Sequence, residues 1–210
     1  MEKKHELAAG PSIQGDGIAE TTTAIEVFSG PGMSINLRFC LMKEVAAYKA
    51  QQGQAIADPE QERDVLERAF AVAHASGLER ESVRSFIQLQ MDIAKAIQHF
   101  HCADWLMEED TPRTPMPLSA VRAKIAHADE STLRSIARKL KTEGGFSGAD
   151  KAAFMREIQH EKIRDRDKER LWATVKKSCF IHPVARLNGR VITPAAKDVL
   201  NVFRNTFSRI

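Results

Sequence analysis

The sequence predicts an all-α protein, and two observations lead to that prediction. Helix-favouring residues such as Ala, Leu, Glu, Gln, Lys and Arg fill segments in which apolar residues recur with helical spacing. By contrast, only one Tyr, two Trp and 11 Gly occur among the 210 residues, and no strand-rich region competes with the helical ones. With 43% hydrophobic residues, the chain can bury a core as one domain or as two closely packed halves.

The chain is predicted to begin with a flexible arm followed by a helix. Residues 1–33 mix Gly, Pro, Ser and Thr without a sustained period, which is typical of a segment without regular structure. The first helix is predicted to begin near Ser34 and to end at Gly53, since glycine commonly stops a helix at its C-terminus.

Two more helices are predicted before the middle of the chain. Asp58 followed by Pro59 is an N-cap with proline at the first helical position, and the helix that it begins is expected to end near Gly77. The third helix, over about 81–108, carries one apolar stripe with Gln98 at its edge. The stripe consists of Val83, Phe86, Ile87, Gln90, Ile93, Ala94, Ile97 and His101.

A proline-rich segment separates the two halves. Residues 108–119 hold three prolines, which cannot continue a helix interior, so we predict a core over 34–110 and a second helical half over 111–210. The second half is predicted to contain helices over 119–141, 149–165 and 167–179, and a terminal helix that begins at Pro194. The charged run over 156–170 is interpreted as a solvated helical surface.

Composition excludes several classes of function. The 31 basic and 28 acidic residues give a net charge of +3, without the concentrated positive field of a nucleic-acid-binding protein. No segment is long and apolar enough to predict a membrane span, and the start of the chain has no apolar signal region. The three cysteines are widely spaced, and His99, His101 and Cys102 do not stack on one helix face, so neither a disulfide framework nor a metal site is predicted.

Arg38 and Lys49 predict a pocket for an anion. Eleven residues separate them, which is close to a whole number of turns, so both side chains project from one helix face. That face also carries Leu41, Met42 and Val45. Burying a cation beside an apolar stripe costs free energy unless an anion pairs with it. The alternative interpretation is that both are ordinary solvated charges.

Four ordered motifs extend this pattern: R-x-x-L-M-x-x-V-A-x-Y-K from Arg38, I-x-D-x-x-x-E-x-x-V-L from Ile56, A-K-x-I-Q from Ala94 and L-S-x-x-R from Leu118. Together they resemble the all-helical chorismate mutases, and the last motif resembles the longer, exported subclass. The resemblance covers roughly residues 34–180. It implies a concerted rearrangement of chorismate to prephenate without any cofactor or metal ion, and a small-molecule substrate rather than a nucleic acid or a membrane as the partner.

The resemblance also implies a role for each matching residue. Arg38 corresponds to a cation that binds a substrate carboxylate, and Lys49 to a donor to the ether oxygen and a carboxylate. Glu62 corresponds to the acceptor for the ring hydroxyl, and Gln98 to the donor on the opposite side of the ether oxygen. Arg122 corresponds to a cation that the exported subclass takes from its own second half, so each chain is expected to hold a complete site, whether or not it forms a homodimer.

The resemblance implies three further substrate-binding positions, Asp58, Gln61 and Ala94. Asp58 matches a family acid, but as an N-cap before proline it is favoured without any ligand. Gln61 stands where the family usually has arginine, and Arg63 cannot replace it because two residues are about 200° apart around a helix. Ala94 stands where some relatives have Ser or Thr. Gln61 also has a local interpretation as the N3 partner of the Asp58 N-cap, in a variant of the capping box.

The departure at Gln61 leaves two alternatives to a chorismate mutase. One is a binding protein that keeps the fold and the anion pocket with little or no catalysis. The other is an isochorismate pyruvate lyase, whose fold is related but lacks a long second half. The exported subclass implies a periplasmic or secreted location, whereas the absence of a signal region in the chain as given leaves a cytoplasmic one as the alternative.

Overall fold

The computed structural model describes residues 30–108, 115–181, 185–187 and 190–192. This part of the chain is all-α, as predicted, apart from one pair of short strands that was not predicted. Residues 1–29 of the predicted arm and the predicted terminal helix lie outside the described residues. None of the described helices is both long and apolar enough to cross a membrane.

The described residues form seven helices and two strands. The helices are α1 (Pro31–Cys40), α2 (Met42–Gln51), α3 (Pro59–Ala75), α4 (Arg80–Glu108), α5 (Leu118–Glu143), α6 (Gly148–Glu157) and α7 (Asp165–Val175). The strands β1 (Ala185–Leu187) and β2 (Arg190–Ile192) pair antiparallel.

One hydrophobic core unites the two halves of the sequence. Helix α5 packs against α1, α2 and α3, while the long α4 packs against α2, α3 and α7. Fully burying a large apolar side chain contributes roughly 1.5–3 kcal/mol, so a core shared in this way holds both halves together. The largest side chains at its centre are Phe39, Phe86, Phe154, Ile35, Leu78, Ile97, Leu133, Ile136, Ile158 and Leu171.

Helix α1 begins at Pro31, three residues before the predicted start. Proline is favoured at the first helical position, where a missing N–H costs nothing. The carboxylate of Glu157, from α6, then accepts hydrogen bonds from the backbone N–H groups of Gly32 and Met33. Burial raises the pKa of Glu157, although these hydrogen bonds oppose the rise. A distant acid therefore caps this helix, and no local sequence signal announces it.

The predicted single helix over 34–53 is divided at Leu41 into α1 and α2. The division is slight, because Leu41 keeps right-handed helical angles (φ −73°, ψ −11°). The backbone N–H of Leu41 donates to the Leu37 carbonyl, and that of Val45 donates to the Leu41 carbonyl, each at 3.2 Å. The two helices thus continue one another, and Arg38 and Lys49 still line the same cavity.

Helices α3 and α4 closely match their predicted ranges, and their ends show why. The Asp58 carboxylate accepts a hydrogen bond from the Gln61 backbone N–H at 3.1 Å, which is the predicted cap. Gly77 has a positive φ of 81° after the end of α3, a conformation that favours glycine. Glu79 then accepts from the backbone N–H groups of Glu81 and Ser82 at the start of α4.

The predicted helix over 149–165 is wrong in its second half, since α6 ends at Glu157. The Asn36 side chain of α1 accepts hydrogen bonds from the next free N–H groups, including that of Gln159 at 2.9 Å. This contact lets the chain leave the helix and bury both Ile158 and Ile163. The charged run there is consequently not one solvated helical face. Helix α7 runs from Asp165 to Val175 instead of over the predicted 167–179.

Candidate active site

Helices α1 to α5 surround one cavity of about 120 Å³. Half of the side chains that line it are apolar, and the other half are charged or amide side chains. All eight residues that were predicted for the site line this cavity: Arg38, Lys49, Asp58, Gln61, Glu62, Ala94, Gln98 and Arg122. The fold thus brings together residues from both halves of one chain.

Arg38 already has an anionic partner inside the protein. Its Nη1 donates to Oδ2 of Asp129, on α5, at 2.5 Å. The Arg38 side chain is 6% exposed and that of Asp129 is 15% exposed. Burial raises the pKa of Asp129, while the charges of Arg38 and Arg68 oppose the rise. The Nε–H of Arg38 is buried without a hydrogen-bond partner among the described residues, so this cation retains an unused donor.

Lys49 is buried near the other end of the same helical face. Its ammonium group donates to the backbone carbonyl of Ile56 at 2.7 Å, and the residue is only 6% exposed. Burial lowers the pKa of Lys49; Asp58 opposes this effect and Arg122 adds to it. Because an ammonium group has three donors, the contact with Ile56 leaves Lys49 able to bind a ligand oxygen as well.

Gln98 is buried, whereas the sequence placed it at the edge of the α4 stripe. Its Nε2 donates to the Ala94 carbonyl at 3.2 Å and contacts the Met42 sulfur at 3.6 Å. Its Oε1 is buried without a partner in the described part of the chain. Thioether sulfur is a weak acceptor, so a ligand oxygen can replace the Met42 contact at little cost. Ala94 adds a small apolar surface beside it.

Glu62 and Lys95 form an ion pair at the cavity wall. Lys95 Nζ lies 3.0 Å from Oε2 of Glu62 and 3.3 Å from Oδ1 of Asp92. Hydrogen bonding to Glu62 is the main cause that raises the pKa of Lys95. The pair holds the Glu62 carboxylate between α3 and α4, where one of its oxygens remains able to accept from a ligand hydroxyl.

Asp58 joins the two halves of the site. While one carboxylate oxygen caps α3, the other lies 3.3 Å from Nη2 of Arg122, on α5. The two side chains are 36% and 38% exposed, so this pair faces the opening of the cavity and solvent screens it. The structure therefore gives Asp58 two functions that do not require it to touch a ligand.

Four charged residues of the cavity were not predicted from the sequence: Arg68, Lys95, Asp129 and Glu130. Lys95 falls inside the A-K-x-I-Q motif, next to the matched alanine, and that position was a usable signal. Arg68 follows Gln61 by seven residues, which returns to the same helix face after about two turns. Asp129 had no local signal, because only the packing of α5 against α1 places it beside Arg38.

The formal charges of the cavity favour an anionic ligand. Five cations and four acids line it, and the two most deeply buried of these charged residues, Arg38 and Lys49, are both cations. An all-α protein with such a cavity belongs to the class of helical proteins that hold a small organic anion in their interior.

Comparison with known proteins identifies the family within this class. Residues 34–99 match the family described as chorismate mutase type II. A secreted chorismate mutase of Yersinia pestis is 38% identical over 140 residues, which are 67% of this chain and 75% of that protein. A monofunctional chorismate mutase of Enterobacter agglomerans is 33% identical over 144 residues, 69% of this chain and 79% of that protein. The chain belongs to the chorismate mutase family.

A solved structure agrees with the sequence comparison. The crystal structure of the secreted chorismate mutase from Yersinia pestis matches with a TM-score of 0.66 and 34% identity. The match covers 72% of this chain and 97% of the other. The helical arrangement described above is thus the arrangement of that family.

Proposed function

We propose that the protein is a chorismate mutase that converts chorismate to prephenate. The observation that carries the proposal is that Arg38, Lys49, Glu62, Gln98 and Arg122 line one cavity within one chain. Family membership supports the same activity. The reaction is a concerted [3,3] rearrangement, in which one C–O bond breaks as one C–C bond forms within a single molecule.

The cavity has the groups that this reaction needs. The substrate is a dianion, and its ether oxygen gains negative charge as the C–O bond breaks. Donors that are fixed beside that oxygen stabilise the transition state more than the ground state. Lys49 supplies a buried cationic donor, and the Gln98 amide supplies a neutral one from α4. No nucleophile or proton transfer is required, because the rearrangement is intramolecular.

The remaining groups hold the substrate in a reactive conformation. Arg38 and Arg122 provide guanidinium forks that suit carboxylates, and Glu62 provides an acceptor for the ring hydroxyl. Holding the side chain over the ring removes the entropy cost of reaching the reactive conformer. The apolar side chains around the buried Arg38, Lys49 and Gln98 limit their contact with water and strengthen their electrostatic contacts.

A direct assay tests the proposal. Purified protein is mixed with chorismate, the loss of chorismate absorbance is followed, and the product is identified as prephenate. Release of pyruvate from isochorismate, without prephenate from chorismate, would support the lyase. Chorismate binding without turnover would support the binding protein, the alternative that Gln61 favours.

The location of the protein is a further part of the proposal. Export to the periplasm or the medium is supported by the 38% identity to a relative named as secreted. Fractionation of cells that produce the complete gene product, followed by immunoblotting, tests it. Retention of all the protein in the cytoplasmic fraction would contradict export.

A further inference from the structure

The Asp129 carboxylate marks a carboxylate position inside the cavity. Asp129 lies on α5 with its side chain 15% exposed, and its Oδ2 is 2.5 Å from Arg38 Nη1. A buried guanidinium requires a counter-ion. Asp129 thus supplies the counter-ion of Arg38 within the protein itself.

Arg68 is a second cation of the cavity whose charge acts on Asp129. It lines the cavity from α3, and its charge acts on Asp129 in the same direction as that of Arg38. Its Nε donates to the Asp64 carbonyl of its own helix at 3.2 Å, and among the described residues it forms no ion pair. The exposed side chain of Arg68 therefore keeps both terminal nitrogens of its guanidinium available for an anion.

We propose that Arg68 and Arg38 together form the subsite for one carboxylate of the substrate, and that this carboxylate replaces Asp129 when it binds. The inference rests on the proposed function and deepens it. Arg68 takes over the cationic role that Gln61 cannot fill, because it lies about two turns further along the same face of α3. Asp129 keeps Arg38 paired in the free protein and competes with the incoming anion.

The competing explanation is that Asp129 only positions Arg38 and stays in place when substrate binds. The two explanations predict opposite effects for Asp129→Asn, which keeps the shape and removes the charge. Displacement predicts tighter anion binding in this variant, because a competitor is lost. Permanent positioning predicts weaker binding, because Arg38 loses its orientation.

The experiment measures binding and turnover separately. Binding of benzene-1,3-dicarboxylate, a ring dianion that cannot rearrange, is measured by calorimetry, and KM and kcat are measured with chorismate. For Arg68→Ala we expect the dissociation constant and KM to rise about tenfold or more, with a smaller change in kcat. Arg68→Lys should recover part of the loss. The matched control is Arg63→Ala, an exposed arginine on the same helix that does not line the cavity, and it should behave as wild type.

For Asp129→Asn we expect the dicarboxylate to bind about tenfold more tightly. Weaker binding in a variant that melts like wild type would overturn the displacement, and an unchanged Arg68→Ala would overturn the subsite. Because Arg68 is exposed, its variants test the subsite even where Asp129→Asn does not fold. Arg68-dependent dicarboxylate binding without any prephenate would overturn the proposed function and leave the subsite standing.

Discussion

At the scale of single residues, the two buried cations Lys49 and Arg38 are predicted to contribute most to catalysis. Both are at most 6% exposed within the cavity, so removing either leaves substrate charge unpaired in a nearly dry environment. We expect Lys49→Ala and Arg38→Ala each to lose about 3 kcal/mol or more of transition-state stabilisation, a fall of over a hundredfold in kcat/KM. Steady-state kinetics with chorismate measures the loss.

Lys49→Arg is the matched control for the first prediction. It keeps the charge, but the broader guanidinium fork cannot occupy the place of a compact ammonium group, so activity should stay low. Circular dichroism establishes that each variant is folded. Near-normal turnover in either folded alanine variant would remove that residue from the site.

The depressed pKa of Lys49 predicts how activity depends on pH. Burial is the main cause, so the free protein loses this charge at a lower pH than an ordinary lysine does. A bound dianion favours the charged form, and kcat should therefore fall at a higher pH than kcat/KM. Measurements of kcat and of kcat/KM against pH over the alkaline range locate both falls. If the two parameters fall at the same pH, the prediction is contradicted.

The free energy of unfolding should rise over the same alkaline pH range in which activity falls. Because the folded-state pKa of Lys49 lies below the unfolded one, the charged form costs stability at neutral pH. That cost disappears as the pH rises through the folded-state pKa toward the unfolded one. The contribution of Lys49 to stability thus rises while its contribution to activity is lost, and thermal unfolding of wild type beside Lys49→Ala separates the two.

At the scale of elements, the start of α3 determines what a change at Gln61 can do. The Asp58 carboxylate is bonded to the backbone N–H of Gln61, so the cap does not depend on the glutamine side chain. We expect Gln61→Arg to raise kcat/KM by up to roughly 10-fold, since a charge-assisted hydrogen bond contributes about 1.5–3 kcal/mol and the amide already recovers part of it. The melting temperature should stay level.

Gln61→Met is the matched control for this change. It has nearly the same length without a donor, and kcat/KM should fall. The two variants are compared in one kinetic series together with thermal melts. A Gln61→Arg variant that is no better than wild type, in a protein that is otherwise active, would show that the cavity has no use for a cation at this position.

Local signals explain which elements were predictable. The start of α3 was predictable because Asp58 and Pro59 act within one turn, and α4 because its stripe repeats over many turns. The end of α6 was not predictable, since Asn36 of α1 bonds the free N–H groups beyond it. The start of α1 depends in the same way on Glu157.

At the scale of the whole molecule, the site combines residues of both halves of one chain. Arg122 of α5 lies 3.3 Å from Asp58 of α3 within a single chain, so no partner subunit is needed to bring them together. We expect Arg122→Ala to be severely impaired, and a mixture of Arg122→Ala with Lys49→Ala protein to remain inactive. Activity of the mixture is measured after the two proteins have been unfolded and refolded together.

Wild-type protein taken through the same unfolding and refolding is the control for this experiment. Recovery of about a quarter of its activity in the mixture, the share that random pairing into dimers gives, would show that subunits exchange halves of the site. The homodimer that the family resemblance allows is compatible with an inactive mixture. Size-exclusion chromatography with light scattering determines the oligomeric state independently.

The sequence by itself determined the helical class, most helix positions and eight of the residues that meet in the cavity. These features follow from caps, spacing and motifs, which act over short distances along the chain. Tertiary structure alone decided that Gln98 is buried, that Asp58 pairs with Arg122, and that Asp129, 91 residues from Arg38, is its counter-ion. The physical reason is that the partner of a buried charge is chosen by how distant helices pack, and no local pattern encodes that choice.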